Sequence, residues 1–336
     1  MSLSSAVGLL IDSAAPDPAA RLAEVQALLA RDLGHVESLL AQAVAEGVAP
    51  GTDAASHLVL AGGKRVRPLA LLLSSACFGA VGEPARQMAA VVELVHSATL
   101  LHDDVIDEGD ERRGRPTSRR RWGNAVSVLS GDLLLVHALE RTRQHAPEAL
   151  ADLLATLRRL VEGEILQLRG RVQVDASEHT YERILSDKTA SLFGWATRTG
   201  ARLAGAAPPE QLRLGEFGER LGIAFQLVDD LLDYEGEQTG KSPLADLREG
   251  KLTLPLVLAC AEEPSLLAEL RRVHAGETDS VDHIATAVRR TGVCRVVRER
   301  AIAATDEALA ALRGIRATPA RRLLEGVASE LALRAA

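Results

Sequence analysis

From Leu22 onward, Val25, Leu29, Leu33, Val36, Leu40 and Val44 step along the chain by three or four residues. Only a helix gathers that spacing onto one face. The same period returns over 86–107, 124–143, 148–169, 210–234, 279–290 and 293–313. Thr318 followed by Pro319 reads as an N-cap and first helical position, opening one more helix. Strand alternation bounded by turn residues is missing, so the sequence predicts an all-α fold. Aromatic residues make up only 2% of the 336-residue chain, which leaves Leu, Val, Ile and Ala to build the core. No Ser/Gly-rich or Pro-rich stretch is long enough to be an interdomain linker. One domain over residues 1–336 is therefore expected, with a polar, Gly-containing mobile loop at 234–251.

Composition narrows the function classes. Charge interrupts every apolar run well before the roughly 18 residues of a membrane span, so no transmembrane helix is expected. The segment "MSLSSAVGLLIDSAAPDP" has no basic residue before its apolar stretch, unlike a secretory signal. Cys77, Cys260 and Cys294 are odd in number and share no close spacing, which argues against a disulfide framework or a zinc site. A cytoplasmic protein is expected. The arginines of "RRGRPTSRRR" suggest a nucleic-acid patch, but a net charge of -7 argues against a general phosphate-backbone binder. Arg119, Arg120 and Arg121 read as a solvated face.

The stretch "LLHDDVIDEGDERRGRP", residues 100–116, places three aspartates in an apolar helix. Asp103 and Asp107 lie one turn apart on one face, with Asp104 about 100° round the axis. Carboxylates near a helix C-terminus oppose the macrodipole, at about 0.3–1 kcal/mol each. The arrangement nonetheless recurs at 225–236, "FQLVDDLLDYEG", with Asp229, Asp230 and Asp233. A lone Asp-Asp-x-x-Asp is weak evidence. Two copies, each ending an apolar helix and each stopped by glycine within three residues, are far more specific. A divalent cation relieves the repulsion, and Mg²⁺ fits best: it takes one or two carboxylates, keeps several waters and completes its shell with substrate phosphates.

The basic residues add an independent argument. Of 39 Lys plus Arg, only Lys64, Lys188, Lys241 and Lys251 are lysine. A chain otherwise converted to arginine keeps lysine where a compact ammonium serves as a point charge for phosphate.

The ordered series "GGKRVRP", "LLHDDVIDEGDERRGRPT", "GDLLL", "SDKTASLF", "AFQLVDDLLDYEG" and "DLREGKLTLPL" resembles the motif series of the trans-prenyltransferases, the polyprenyl diphosphate synthases. It runs from about residue 58 to 260 in the family's order. The resemblance implies the isoprenoid synthase fold, a single large helical bundle around a central cavity. It also implies condensation of an allylic diphosphate with isopentenyl diphosphate and release of pyrophosphate. Asp103, Asp107 and Asp229 match the family's metal ligands, with Asp104, Asp230 and Asp233 in support and three Mg²⁺ ions expected. Lys64, Arg67, His96 and Arg113 match the residues that hold isopentenyl diphosphate. Arg112, Lys188, Thr189, Gln226, Lys241 and Lys251 match the allylic diphosphate site and its closing loop. A homodimer is expected.

Glu93-x-x-His96 suggests half of a di-iron bundle, but that architecture requires a second Glu-x-x-His, which the chain lacks. His102 has no matched role. In the family, bulky aromatics four and five residues before the first aspartate stop chain growth early; here those residues are the small Thr99 and Ala98, with Val95 a turn further up. A long-chain all-trans product is expected, with geranylgeranyl or farnesyl diphosphate as alternatives. One departure stands out: the family commonly has a glycine and an aspartate where this chain has Leu244 and Ala245. A noncatalytic subunit of a heteromeric synthase would share the fold, yet would be expected to lose aspartates or cations that are all present here.

Overall fold

The computed structural model describes residues 18–112, 114–235, 244–276 and 279–335. Its helices are α1 (Pro18–Ala45), α2 (Gly51–Val59), α3 (Val66–Ala76), α4 (Glu83–Ile106), α5 (Ser118–Trp122), α6 (Asn124–His145), α7 (Leu150–Gln173) and α8 (Glu178–Ile184). After a π turn at Leu185–Ala190 come α9 (Ser191–Leu203), α10 (Pro208–Glu235), α11 (Ala245–Arg248), α12 (Leu254–Glu262), α13 (Leu266–His274), α14 (Val281–Arg290), α15 (Val293–Leu312) and α16 (Pro319–Ala335). The fold is all-α, as the periodicity predicts. Among the described residues the sole sheet is a hairpin of two-residue strands, β1 (Glu111–Arg112) and β2 (Arg115–Pro116), with Gly114 at φ 70° in its turn.

The residues group into two compact units. Of the described residues, the first takes those within 1–153, 195–215 and 313–327, and the second those within 154–194, 216–312 and 328–336. In the first, α4 is the central element and packs on α1, α3 and α6. Pro84 in its first turn, after the extended Gly82, fixes its start. Met88, Val91, Leu94, Val95, Ala98 and Leu101 are wholly buried, each large aliphatic contributing about 1.5–3 kcal/mol by leaving water. The stripe read from α1 is buried from Leu29 through Leu33, Val36, Leu40 and Val44. Thr318 caps α16 by accepting from Arg321 N–H at 3.1 Å.

The second unit has its own core, built on Leu227, Leu231, Leu247, Leu256, Ile284 and Val297. The chain's two tyrosines, Tyr181 and Tyr234, both lie in it. The polar stretch 234–251 is not loop throughout: α11 forms inside it, and Leu244 and Leu247 bury their side chains. No helix among the described residues is long and apolar enough to cross a membrane.

Candidate active site

In the first unit the basic loop before α3 is built around Arg65. This residue takes the left-handed conformation at φ 45° and is buried. Its Nε donates to Glu37 at 2.8 Å, its Nη1 to Glu93 at 2.5 Å and its Nη2 to the Val59 carbonyl at 2.8 Å. A left-handed L-residue costs roughly 1–2 kcal/mol, and these bonds hold it there. Lys64 is exposed and Arg67 half-buried on either side of this fixed guanidinium. Desolvation pulls the Arg67 guanidinium down to about 10, with Glu93 acting in the opposite sense, so it remains a cation at neutral pH. Glu93, suggestive of iron in the sequence, is the counter-ion of a buried arginine.

Along α4, His96, Thr99, Leu100, Asp103 and Asp107 form a part-exposed stripe on a helix otherwise buried from Gln87 to Ala98. Asp107 ends the helix, its N–H reaching Asp103 O at 2.7 Å, and Gly109 N–H closes the turn on Asp104 O at 2.9 Å. Asp104 itself is only 2% exposed and accepts from Arg112 Nε at 2.8 Å. Ala98 and Val95 are buried, while Thr99 shares the stripe with Asp103. Arg113 lies outside the described residues.

The hairpin that carries Arg112 is pinned from α2. His57 Nε2 donates to Pro116 O at 2.8 Å, and its Nδ1 accepts from Arg115 at 2.9 Å and Arg121 at 3.2 Å, which fits the neutral ring. A pocket lined by His57, Asp104, Arg112, Arg115 and Thr117 opens beside it. Of the three arginines read as a solvated face, Arg120 and Arg121 are exposed, Arg121 stacking 4.6 Å over Trp122, while Arg119 is part-buried and reaches Asp110 at 3.2 Å. His102 finds its place against Gly131, where an added Cβ would come within 2.3 Å of the ring. The glycine of "GDLLL" thus lets α6 approach α4.

In the second unit Asp229 and Asp233 are likewise part-exposed, while Asp230 is 2% exposed. Asp230 Oδ2 accepts from Tyr181 O–H at 2.7 Å and from Leu254 N–H at 3.0 Å, and Oδ1 from the Gln226 amide at 2.9 Å. Burial pushes its carboxyl up to about 7, against the pull of those three donors. Gln226 also accepts from Thr189 Oγ1 at 3.2 Å, so Thr189, Gln226 and Asp230 form one chain of bonds. Lys188 pairs with Glu164 and lies 3.5 Å from Gln167. Lys251 pairs with Glu249 at 2.5 Å and Asp246 at 3.5 Å. Leu244 sits at φ 60° with its N–H on Asp233 O at 3.2 Å, a backbone conformation that glycine adopts more readily than leucine. Lys241 lies outside the described residues.

Tyr181 and Glu93 were not legible as partners in the sequence, since each acts on a residue 28 or more positions away. Among the described residues no group of three or more His, Cys, Asp and Glu could hold a metal ion on its own. Paired part-exposed aspartates suit a cation that keeps waters and shares substrate phosphates.

The polyprenyl synthetase family model matches residues 51–291. The octaprenyl diphosphate synthase of Escherichia coli strain K12 is 36% identical over 313 residues, covering 91% of this chain and 97% of that protein. Component 2 of the heptaprenyl diphosphate synthase of Geobacillus stearothermophilus is 38% identical over 318 residues, covering 92% and 97%. Among solved structures, a decaprenyl diphosphate synthase from Rhodobacter capsulatus superposes with a TM-score of 0.86 at 36% identity, covering 93% of this chain and 98% of its own. A polyprenyl synthase from Caulobacter crescentus, complexed with calcium and isoprenyl diphosphate, gives a TM-score of 0.86 at 36% identity, covering 92% and 97%. With the motifs, the helical fold and these matches in agreement, the chain belongs to the polyprenyl synthetase family.

Proposed function

We propose that this prenyltransferase condenses isopentenyl diphosphate with an allylic diphosphate and gives a long-chain all-trans polyprenyl diphosphate. One observation carries the proposal: in both aspartate motifs the middle carboxylate is buried and bonded, while the first and last are part-exposed one turn apart. Asp103, Asp107 and Asp229 would hold Mg²⁺, three ions being the expected complement, with Asp104, Asp230 and Asp233 fixing their setting. When bound, the metal neutralises negative charge on the departing pyrophosphate.

The chain's own residues do the rest. Lys188 and Arg112 add positive charge for the allylic diphosphate, with Lys241 and Lys251 contributing from the stretch before α12. Thr189 and Gln226 hold their dipoles in fixed orientation through Asp230 and turn them to the cation left after ionisation. Lys64, Arg67, His96 and Arg113 bind isopentenyl diphosphate and deliver its double bond. Arg65 keeps the first two of these in register. The absence of Phe, Tyr or Trp along α4 supports a long product, with Thr99, Ala98 and Val95 as the length-setting positions. We also infer one polyprenyl synthase domain over 1–336, a cytoplasmic location, and a homodimer. Leu129 and Val136, exposed on α6, support the last.

The test is purified protein with Mg²⁺, labelled isopentenyl diphosphate and a series of allylic primers, with products sized after phosphatase treatment. Turnover that stops in EDTA and returns with Mg²⁺ is expected. Turnover unaffected by EDTA, or none with any primer, overturns the proposal.

A further inference from the structure

The stretch that carries Lys188 and Thr189 is a π turn, in which Ser191 N–H reaches back five residues to Ser186 O. Such turns are rare and concentrate at functional sites. This one is gripped from two sides. On α10, Gly222 brings the helix so close that an added Cβ would lie 2.7 Å from Ala190 Cα. On α7, a Cβ at Gly163 would lie 3.0 Å from Lys188 N.

One turn before Gly163 on α7 stands Arg159, a residue without a role in the motif series. Its Nη2 donates to Ser186 O at 3.1 Å and Ser186 Oγ at 3.0 Å, its Nε to Asp187 at 2.9 Å and its Nη1 to Glu219 on α10 at 2.8 Å. Ser191 Oγ takes the next carbonyl, Asp187 O, at 2.6 Å. A single planar guanidinium therefore ties α7, the π turn and α10 together, a geometry an ammonium cannot reproduce. Further along the same face of α7, Glu164 and Gln167 meet the Lys188 ammonium.

We propose that Arg159 is a positioning residue for the reaction: it holds the π turn open and so sets where Lys188 and Thr189 present their polar groups. The inference rests on the prenyl-transfer reading for its kinetic consequence, and on geometry alone for its structural one. Arg159→Met removes the fork and keeps the stem; Arg159→Lys keeps the charge and loses the fork.

Two readouts separate the possibilities. In steady-state turnover, Arg159→Met is expected to lower kcat by at least about tenfold with the KM for isopentenyl diphosphate within about twofold, and Arg159→Lys to fall between it and the parent. In hydrogen exchange, amides of 185–191 should exchange faster in both variants while those of α4 stay unchanged. If Arg159→Met folds poorly, Arg159→Lys carries the test alone. Parent-like kcat in both variants, or parent-like exchange over 185–191, overturns the inference. So does a loss that moves kcat, KM and melting temperature together in both variants. A parent enzyme without turnover but with the local exchange change would sink the prenyl-transfer reading and leave Arg159 as the brace of the turn.

Discussion

At the ends of α4 and α10 the chain sets the same three-aspartate spacing and holds the middle carboxylate by different means. Asp104 is held by a cation, Arg112, donated from the hairpin eight residues later. Asp230 is held by neutral donors, Tyr181, Gln226 and the Leu254 N–H, two of them far away in sequence. Burial against neutral partners leaves the second carboxyl raised to about 7. What the two ends share is the outward pair. A motif repeated in sequence thus specifies which groups face the ligand, while each unit anchors the inward group with what it has nearby.

The largest effects should come from the shared part. Asp103→Asn and Asp229→Asn are each expected to lower kcat/KM on the order of 10²–10³, the scale of losing one stabiliser of developing charge. Melting temperatures close to the parent would accompany this, and a variant with parent activity would remove its motif from the metal site. The anchors should differ. Asp230→Ala leaves two buried donors, the Tyr181 O–H and the Leu254 N–H, unmet and is expected to cost about 2–4 kcal/mol in urea unfolding, whereas Asp104→Ala, with a part-exposed Arg112 that can turn to water, should cost about 1–2 kcal/mol. Equal losses would erase the contrast between ionic and neutral anchoring.

Smaller effects test the stripe on α4. Thr99→Tyr should shorten the product with little loss of stability, since Thr99 is part-exposed; Ala98→Tyr, in a packed site, should cost about 1–3 kcal/mol as well. Product sizing and thermal melts on both variants decide it, and an unchanged chain length in both would rule out these positions as the ruler. The smallest expected effect is no effect. Cys77 in the first unit and Cys260 and Cys294 in the second are buried, and burial pushes each thiol up to about 11. Native protein at pH 8 should resist iodoacetamide at all three sites and take up label only in denaturant. Rapid labelling of one unit alone would show that it opens more readily than the other.

The long helices were readable because α1, α4, α6 and α10 each carry a stripe of apolar residues. α3 and α12 were harder to read: "VRPLALLLSSA" and "LPLVLACAE" are apolar almost all round, so no period distinguishes a buried helix from a buried strand. The outward aspartates and the retained lysines were legible because their chemistry is specific. Their supports were not. Nothing local marks Tyr181 as the partner of Asp230, Glu93 as the partner of Arg65, or an i→i+5 bond at Ser186, since each depends on packing between distant segments.

The π turn also has a consequence for how sequence length is policed here. One residue too few between Leu185 and Ala190 would let the ladder settle into ordinary α spacing, with the Ser191 N–H still on Ser186 O, so the helix beyond the cut would keep its phase and only the bulge would be lost. Lys188 and Thr189 would keep their identities and lose their bearings. The one extra residue is thus what aims them, and its removal would be felt at these two side chains rather than in the helices on either side.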